Sequence, residues 1–238
     1  RYFMLLSKVL SRPEKMRIYR SRIWFEVEAL GFNSISLTAI ISAFIGAVVA
    51  LQMAITLESP FIPQFMIGYS TREVMVLEFS STVVALILAG KVGSNIASEI
   101  GTMRITEQID AMEIMGVNSA NYLILPKVVA FMVMMPLLVT LSMFMGLLGG
   151  YGISAITNVL PISEYLLGIQ YAFIPFYVWY SFIKTIVFAF VIASMASYYG
   201  YYAHGGALEV GKASTKAVVN SSIVILLLDV VLTNLMLN

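Results

Sequence analysis

The stretch FNSISLTAIISAFIGAVVALQMAITL, residues 32–57, carries no charged side chain. A bilayer core about 30 Å thick takes roughly 20 apolar residues as helix, so this segment is read as a membrane span. In lipid every backbone polar group must bond within the protein, and a lone segment achieves that as a helix. Ser42, Gly46 and Ala50 recur every four residues along it, as do Ala39, Ala43 and Ala47. Small residues at that spacing let another helix approach closely in lipid.

Four more segments are long and apolar enough to span, though each carries at least one charged residue: 74–97, 126–151, 176–199 and 217–237. The second repeats the small-residue spacing at Ala85, Ala89, Gly93 and Ala97, and the third runs into GLLGGYG. A loop with Glu58, Pro60 and Pro63 follows the first span. Residues 152–175 are apolar but broken by Gly152, Pro161 and Pro175, which predicts a short helix on the far surface. Composition agrees. The 238 residues are 60% hydrophobic and 11% charged, against about 25% charged in soluble domains, and mean hydropathy is +0.90. The expected fold is an all-α integral membrane protein with five transmembrane helices. Residues 1–31 form an interfacial segment and residues 32–238 the spanning domain.

Residues 1–30 interleave Arg1, Lys8, Arg12, Lys15, Arg17, Arg20 and Arg22 with Ile18, Ile23, Trp24 and Phe25. Pro13 suits a helix start. The stretch reads either as an amphipathic helix in the membrane interface or as a basic tail that only sets orientation. The chain opens on Arg1 rather than Met, which leaves room for an upstream segment. Residues 1–10 lack a small-residue cleavage site, so no signal peptide is expected. With the N-terminus inside, Lys91, Arg104, Lys127, Lys212 and Lys216 join the first seven cations on the inner side. Arg72 lies outside and Lys184 within a span. The positive-inside rule therefore puts the N-terminus in the cytoplasm and, after five spans, the C-terminus outside.

The formal net charge of +1 points to neither nucleic acid nor an acidic substrate. The absence of cysteine excludes disulfides, thiol chemistry and Cys-ligated metal, and the single His204 argues against a histidine metal site or Ser-His catalysis. GALEVGKA, residues 206–213, imitates a nucleotide-binding loop through Gly206, Gly211 and Lys212. Ala213 stands where that motif needs a hydroxyl for Mg²⁺, and no strand precedes it. No metal, ATP or other cofactor is expected in this chain.

Residues 97–118, ASEIGTMRITEQIDAMEIMGVN, are too polar and too short to span. The spacing predicts a helix over about 104–116, with Ile105, Ile109 and Met112 on one face and Met115 at its flank. Glu107, Asp110 and Glu113 fall on the opposite face. Thr106 is the expected N-cap and Gly116 the stop, with Glu99 and Arg104 as anchors at the membrane surface. An acidic face does not favour anionic lipid. Two readings remain: a solvated loop helix without intramolecular partners for its acidic face, or a docking helix for a cytoplasmic protein.

Glu78, Lys184 and Asp229 are ionisable residues inside expected spans. Such groups are costly in a bilayer and pair or line a cavity. Counted along their helices, all three fall roughly 6 to 14 Å from the outer end, so they can share one layer. A structural ion pair and a transport role are equally open. Gln52, Met53 and Thr56, in the outer half of the first span, are candidate lipid contacts; packing alone would explain Met53.

VVALILAGKVGSNIASEIGTMRITEQIDAMEIMGVNSANYLILPKVVA, residues 83–130, resembles the signature region of the MlaE-type permease family, the membrane subunits of lipid-transporting ABC systems. The resemblance continues through FIKTIVFAF, residues 182–190, and AVVNSSIVILLLDVVLTNLM, residues 217–236. It implies a coupling helix between spans two and three, seated in an ATPase subunit. Arg104, Glu107, Gln108, Asp110, Ala111, Glu113 and Met115 would then be its contact residues. It also implies a homodimer in the bacterial inner membrane, two ATPase subunits that bind ATP and Mg²⁺, an MCE-domain protein on the periplasmic side and phospholipid as cargo. The family's cavity lies at the dimer interface, with the first and fifth spans contributing. Family members carry Glu, Lys and Asp at the positions of Glu78, Lys184 and Asp229. They often have Arg before that Glu and Gly-Pro just after it, where this chain has Leu77, Ser80 and Ser81.

The rival reading is an ion-driven secondary transporter with Glu78, Lys184 and Asp229 as its relay. It calls for broken helices in matching halves, and no internal repeat is visible. A membrane scaffold without transport would need neither buried charges nor a docking helix.

Overall fold

The computed structural model describes residues 1–10, 16–57, 59, 61–157 and 160–237. Arg12, Pro13, Lys15, Glu58 and Pro60 lie outside the described residues, as do the side chains of Arg17 and Ile18. Among the described residues there are helices and no strand. They are α1 (Tyr2–Val9), α2 (Tyr19–Thr56), α3 (Phe65–Ile105), α4 (Gln108–Ile114), α5 (Ser119–Thr157), α6 (Ile162–Gln170), α7 (Phe176–Tyr201) and α8 (Ala207–Leu237). Five of them, α2, α3, α5, α7 and α8, are long and apolar enough to cross a membrane.

These helices outrun the apolar segments read from sequence. The helical run of α2 reaches back to Met16 rather than 32, α5 begins at Ser119 rather than 126, and α8 at Ala207 rather than 217. Hydropathy marks only what the hydrocarbon takes, whereas i→i−4 bonding continues until something stops it. The stretch 19–31, expected as part of a separate interfacial helix, is thus the first part of α2. Three π-helical stretches interrupt the long helices: Val27–Phe32, Met75–Val83 and Ala89–Gly93. Such wide turns often mark functional sites.

The chain forms two compact units. One comprises residues 1–33, 85–135 and 186–238; the other comprises 34–84 and 136–185. In the second unit α2 and α5 meet backbone to backbone. A methyl added at Gly46 would lie 1.9 Å from the Gly146 carbonyl oxygen, so only hydrogen fits there. One turn away, Ser42 Oγ donates to Ser142 Oγ at 2.7 Å. The small-residue stripe of the first span is therefore a packing seam. Ala50, Ala54, Ile67, Leu160 and Tyr165 close a small core beside it.

Arg72, read from sequence only as an outer cation, is 2% exposed and closes the end of α6. Its guanidinium donates to the carbonyls of Ile169 at 2.8 Å and Tyr171 at 2.7 Å, and it pairs with Glu73 at 2.5 Å. These bonds satisfy orphan carbonyls at a helix C-terminus, where a cation is also favoured by the helix dipole.

In the first unit α1 buries Leu5 and Val9, and its Tyr2 hydroxyl shares a hydrogen bond with Ser194 at 2.7 Å. Asn121 Nδ2 donates to the Val9 carbonyl at 2.5 Å, and Arg22 stacks 3.7 Å over the Tyr122 ring. Lys127, 2% exposed, donates to Glu26 at 2.7 Å and Glu99 at 2.8 Å, joining α5, α2 and α3. α8 is tied to α3 by Ser214 Oγ, which donates to the Ser94 carbonyl at 3.2 Å.

Candidate functional site

The segment 97–118 lies wholly in the first unit. α3 ends at Ile105, where Thr106 Oγ1 donates back to the Thr102 carbonyl at 2.8 Å. Thr106 is therefore not the N-cap expected of it. Glu107 takes a left-handed conformation, φ 59°, and turns the chain into α4. The expected continuous helix over 104–116 is thus broken at 106–107. Gly116 ends α4 with φ +79°, which suits glycine and was expected of it.

Ile109 is fully buried and seats α4 on the unit. The acidic face, expected to have no intramolecular partner, has two anchored members. Arg104 donates to Asp110 at 2.6 Å. Glu113 accepts from the Tyr201 hydroxyl at 2.9 Å and from Ser119 Oγ at 3.0 Å. The Tyr201 hydrogen bond is the main reason the Glu113 carboxyl sits below its ordinary pKa. Partial burial opposes it, while Ser119, Arg104 and Lys8 add to it. Both partners of Glu113 are out of reach of helical periodicity, since Tyr201 stands 88 residues away.

The α4 segment offers both acidic and apolar groups to solvent, since Glu113 is itself exposed and the Asp110 side chain is 47% exposed. Ile114 is 87% and Met115 70% exposed, beside exposed Glu107, Gln108 and Ala111. Met115, expected at the flank of the buried face, points away from it. Ile114 is the last residue of α4 and Met115 its C-cap, so the exposed apolar pair lies at the C-terminal end of the short helix.

In the second unit, the structure brings Glu78 and Lys184 together. Lys184 is 0% exposed, with Nζ 3.0 Å from Glu78 Oε2, 3.2 Å from the Leu77 carbonyl and 4.9 Å from the Tyr180 ring centre. Thr82 Oγ1 donates to the same carboxylate oxygen at 3.3 Å. Glu78 stands in the π-helical stretch Met75–Val83, where Ser81 Oγ donates to the Glu78 carbonyl at 3.3 Å. Asp229 belongs to the first unit, half-buried on α8. Gln52 and Thr56 are exposed on α2, while Met53 packs against the core around Tyr165.

The Glu26–Lys127–Glu99 cluster was missed from sequence, where Lys127 counted only toward orientation. Its signal was a lysine one residue inside an expected span. GALEVGKA forms no phosphate-cradling loop: from Ala207 onward it is the opening of α8.

Five long apolar helices, with a polar loop that seats a short helix, define an all-α integral membrane protein. The profile of the family described as Permease MlaE matches residues 23–235, and the chain belongs to that family. It is 36% identical over 233 residues to a probable ABC transporter permease protein of Rickettsia prowazekii, covering 98% of this chain and 88% of the relative. A probable ABC transporter permease protein of Rickettsia bellii is 38% identical over 218 residues, with 92% and 84% covered. One from Synechocystis is 32% identical over 237 residues, with 98% and 89% covered. The chain is thus a multi-pass permease subunit of an ABC transporter, a class that works with an ATPase partner.

Proposed function

We propose that this permease moves phospholipid between the membranes of a bacterial envelope, as a homodimer in the inner membrane. Two ATPase subunits bind ATP and Mg²⁺ and dock on the 104–115 segment, and a periplasmic MCE-domain protein receives or delivers the lipid. The N-terminus is cytoplasmic and the C-terminus periplasmic, in keeping with the clustering of lysine and arginine. The observation that carries the reading is α4. It is anchored at its base by Ile109, Asp110 and Glu113, and presents Ile114 and Met115 uncovered at its tip. An exposed apolar pair on a fixed stalk suits a hydrophobic groove in a partner, ringed by the polar Glu107 and Gln108.

Family membership supports ATP hydrolysis on another subunit as the energy source over the ion-driven reading. Glu78 and Lys184 then serve either as a brace or as part of the lipid path; Gln52 and Thr56 belong to the cavity wall. The test is reconstitution of the permease with its co-expressed ATPase and labelled phospholipid in vesicles. ATP-dependent movement of the label is expected. Tight ATPase association without any lipid movement would sink the cargo assignment and leave the ABC role intact.

A further inference from the structure

Glu99 and Lys127 stand 28 residues apart in sequence and meet at 2.8 Å. Glu99 lies in the last two turns of α3 and Lys127 in the third turn of α5. The bend at Glu107, α4 and the stop at Gly116 all fall between them. The ion pair therefore closes a hairpin whose turn is α4, and every residue of it belongs to the first unit.

A buried ammonium needs a partner, and Lys127 at 2% exposed has two. Glu26 at 2.7 Å is enough to neutralise it. The Glu99 side chain is 47% exposed against 13% for Glu26, so burial of the lysine does not call for it. What Glu99 adds is a connection to α3.

The two carboxylates differ in what they join. α2 and α5 already meet at two other polar points, since the Tyr19 hydroxyl donates to Asn121 Oδ1 and Arg22 stacks on Tyr122. Val27 of α2 also packs with Ala130 and Met134 of α5. Glu26 thus repeats a connection made elsewhere. Among the described residues, the polar tie from 94–105 of α3 to α5 is the Glu99–Lys127 pair.

We propose that Glu99 is a positioning residue for coupling. Through Lys127 it keeps α3 and α5 together on either side of α4, so that movement of α4 by a bound ATPase reaches α5 instead of parting the two helices. The inference rests on docking of the ATPase at α4.

The test uses the complex purified with its co-expressed ATPase and a nitroxide label on Val133→Cys. Val133 is 56% exposed on α5, in a chain with no native cysteine. Signal from a complex lacking the introduced cysteine is subtracted. Trapping with ATP and vanadate should change the label's spectrum in the otherwise unaltered complex. In Glu99→Gln that change should fall about tenfold, with the ATPase copurifying in full and the thermal midpoint unchanged. Lys127 keeps Glu26 in this variant, so no buried charge is stranded and the chain should fold. Glu26→Gln breaks the more buried half of the same cluster and should keep the spectral change. A cluster that served stability alone would rank the two variants the other way, by thermal midpoint and not by response to nucleotide. An undiminished response in Glu99→Gln would overturn the proposal, as would an equal loss in Glu26→Gln. So would a label in the unaltered complex that ignores nucleotide. Loss of the ATPase from Glu99→Gln would place Glu99 in the docking surface and overturn its positioning role. Failure of the docking reading looks different: the ATPase then stays bound to Ile114→Asp/Met115→Asp. Failure of this inference leaves docking at α4 intact and the response indifferent to Glu99.

Discussion

Lys184 shows what a single side chain does in the second unit. Its ammonium is wholly buried against Glu78, the Leu77 carbonyl and the Tyr180 ring. The Glu78 side chain is 40% exposed, so the cost of breaking a fully buried pair, about 3 to 5 kcal/mol, is an upper bound here. Stranding one buried charge still costs more than removing both groups. Lys184→Met is therefore expected to lower the thermal midpoint in detergent more than Glu78→Gln/Lys184→Met does. A double variant no more stable than the single would show that the pair carries no coupling. Adding Asp229→Asn extends the cycle to the proposed third member; simple additivity would place Asp229 outside it. The sequence marked Glu78 and Lys184 as costly charges because each interrupts an apolar run. Arg72 and Lys127 were harder to read as buried anchors, because both stand near span ends, where a charge is ordinary, and the only hint was that Lys127 lies one residue inside its span.

Helices differ in how openly their contacts are written. The α2–α5 seam was visible in the spacing of Ser42, Gly46 and Ala50, since only small residues allow such an approach. Gly46→Ala should destabilise strongly, beyond the about 1 to 3 kcal/mol usual for overpacking, because a backbone carbonyl opposes the new methyl and no side chain can swing aside. Gly152→Ala, with open space around it, should leave the thermal midpoint unchanged or raise it. The opposite order would refute the seam. The π-helical stretches could not be foreseen, because one extra residue in a turn leaves no mark in composition. Nor could the break at Glu107, where a glutamate takes a backbone conformation more usual for glycine or asparagine.

The attachment of α4 also carries a pH signature. The Glu113 carboxyl is shifted below its ordinary value of 4.5, so its contribution is fully present above that value. It is lost as pH falls through the lower, folded value. A cysteine probe at Met115 should therefore become more mobile only under acid conditions, below the ordinary carboxylate range. In Glu113→Gln that acid-dependent step should disappear; its persistence would assign the step to another group.

For the complete molecule, five spans were readable from hydropathy alone, because lipid imposes length and apolarity on each crossing segment. The partner surface was readable only in part. Helical periodicity identified an amphipathic α4 with an exposed acidic side, but not that Arg104, Ser119 and Tyr201 bond two of its three carboxylates while they stay open to solvent. Charge reversal at Asp110 and Glu113 would consequently damage the loop itself. Ile114→Asp/Met115→Asp is the cleaner probe, as both side chains are exposed. It should reduce copurification of the ATPase at least tenfold with an unchanged thermal midpoint. Undiminished association would move the docking site elsewhere.

The bend at Glu107 has a mechanical consequence. A straight continuation of α3 would act as a plunger, passing any thrust from a partner back along its own axis. The offset axis of α4 instead makes the loop a bell crank. Load applied to Ile114 and Met115 would reach α5 through Ser119 and α7 through Tyr201 by way of Glu113, while the Arg104–Asp110 pair returns part of it to α3. Two spanning helices are therefore geared to a single short lever, and Glu113 is the pin between them.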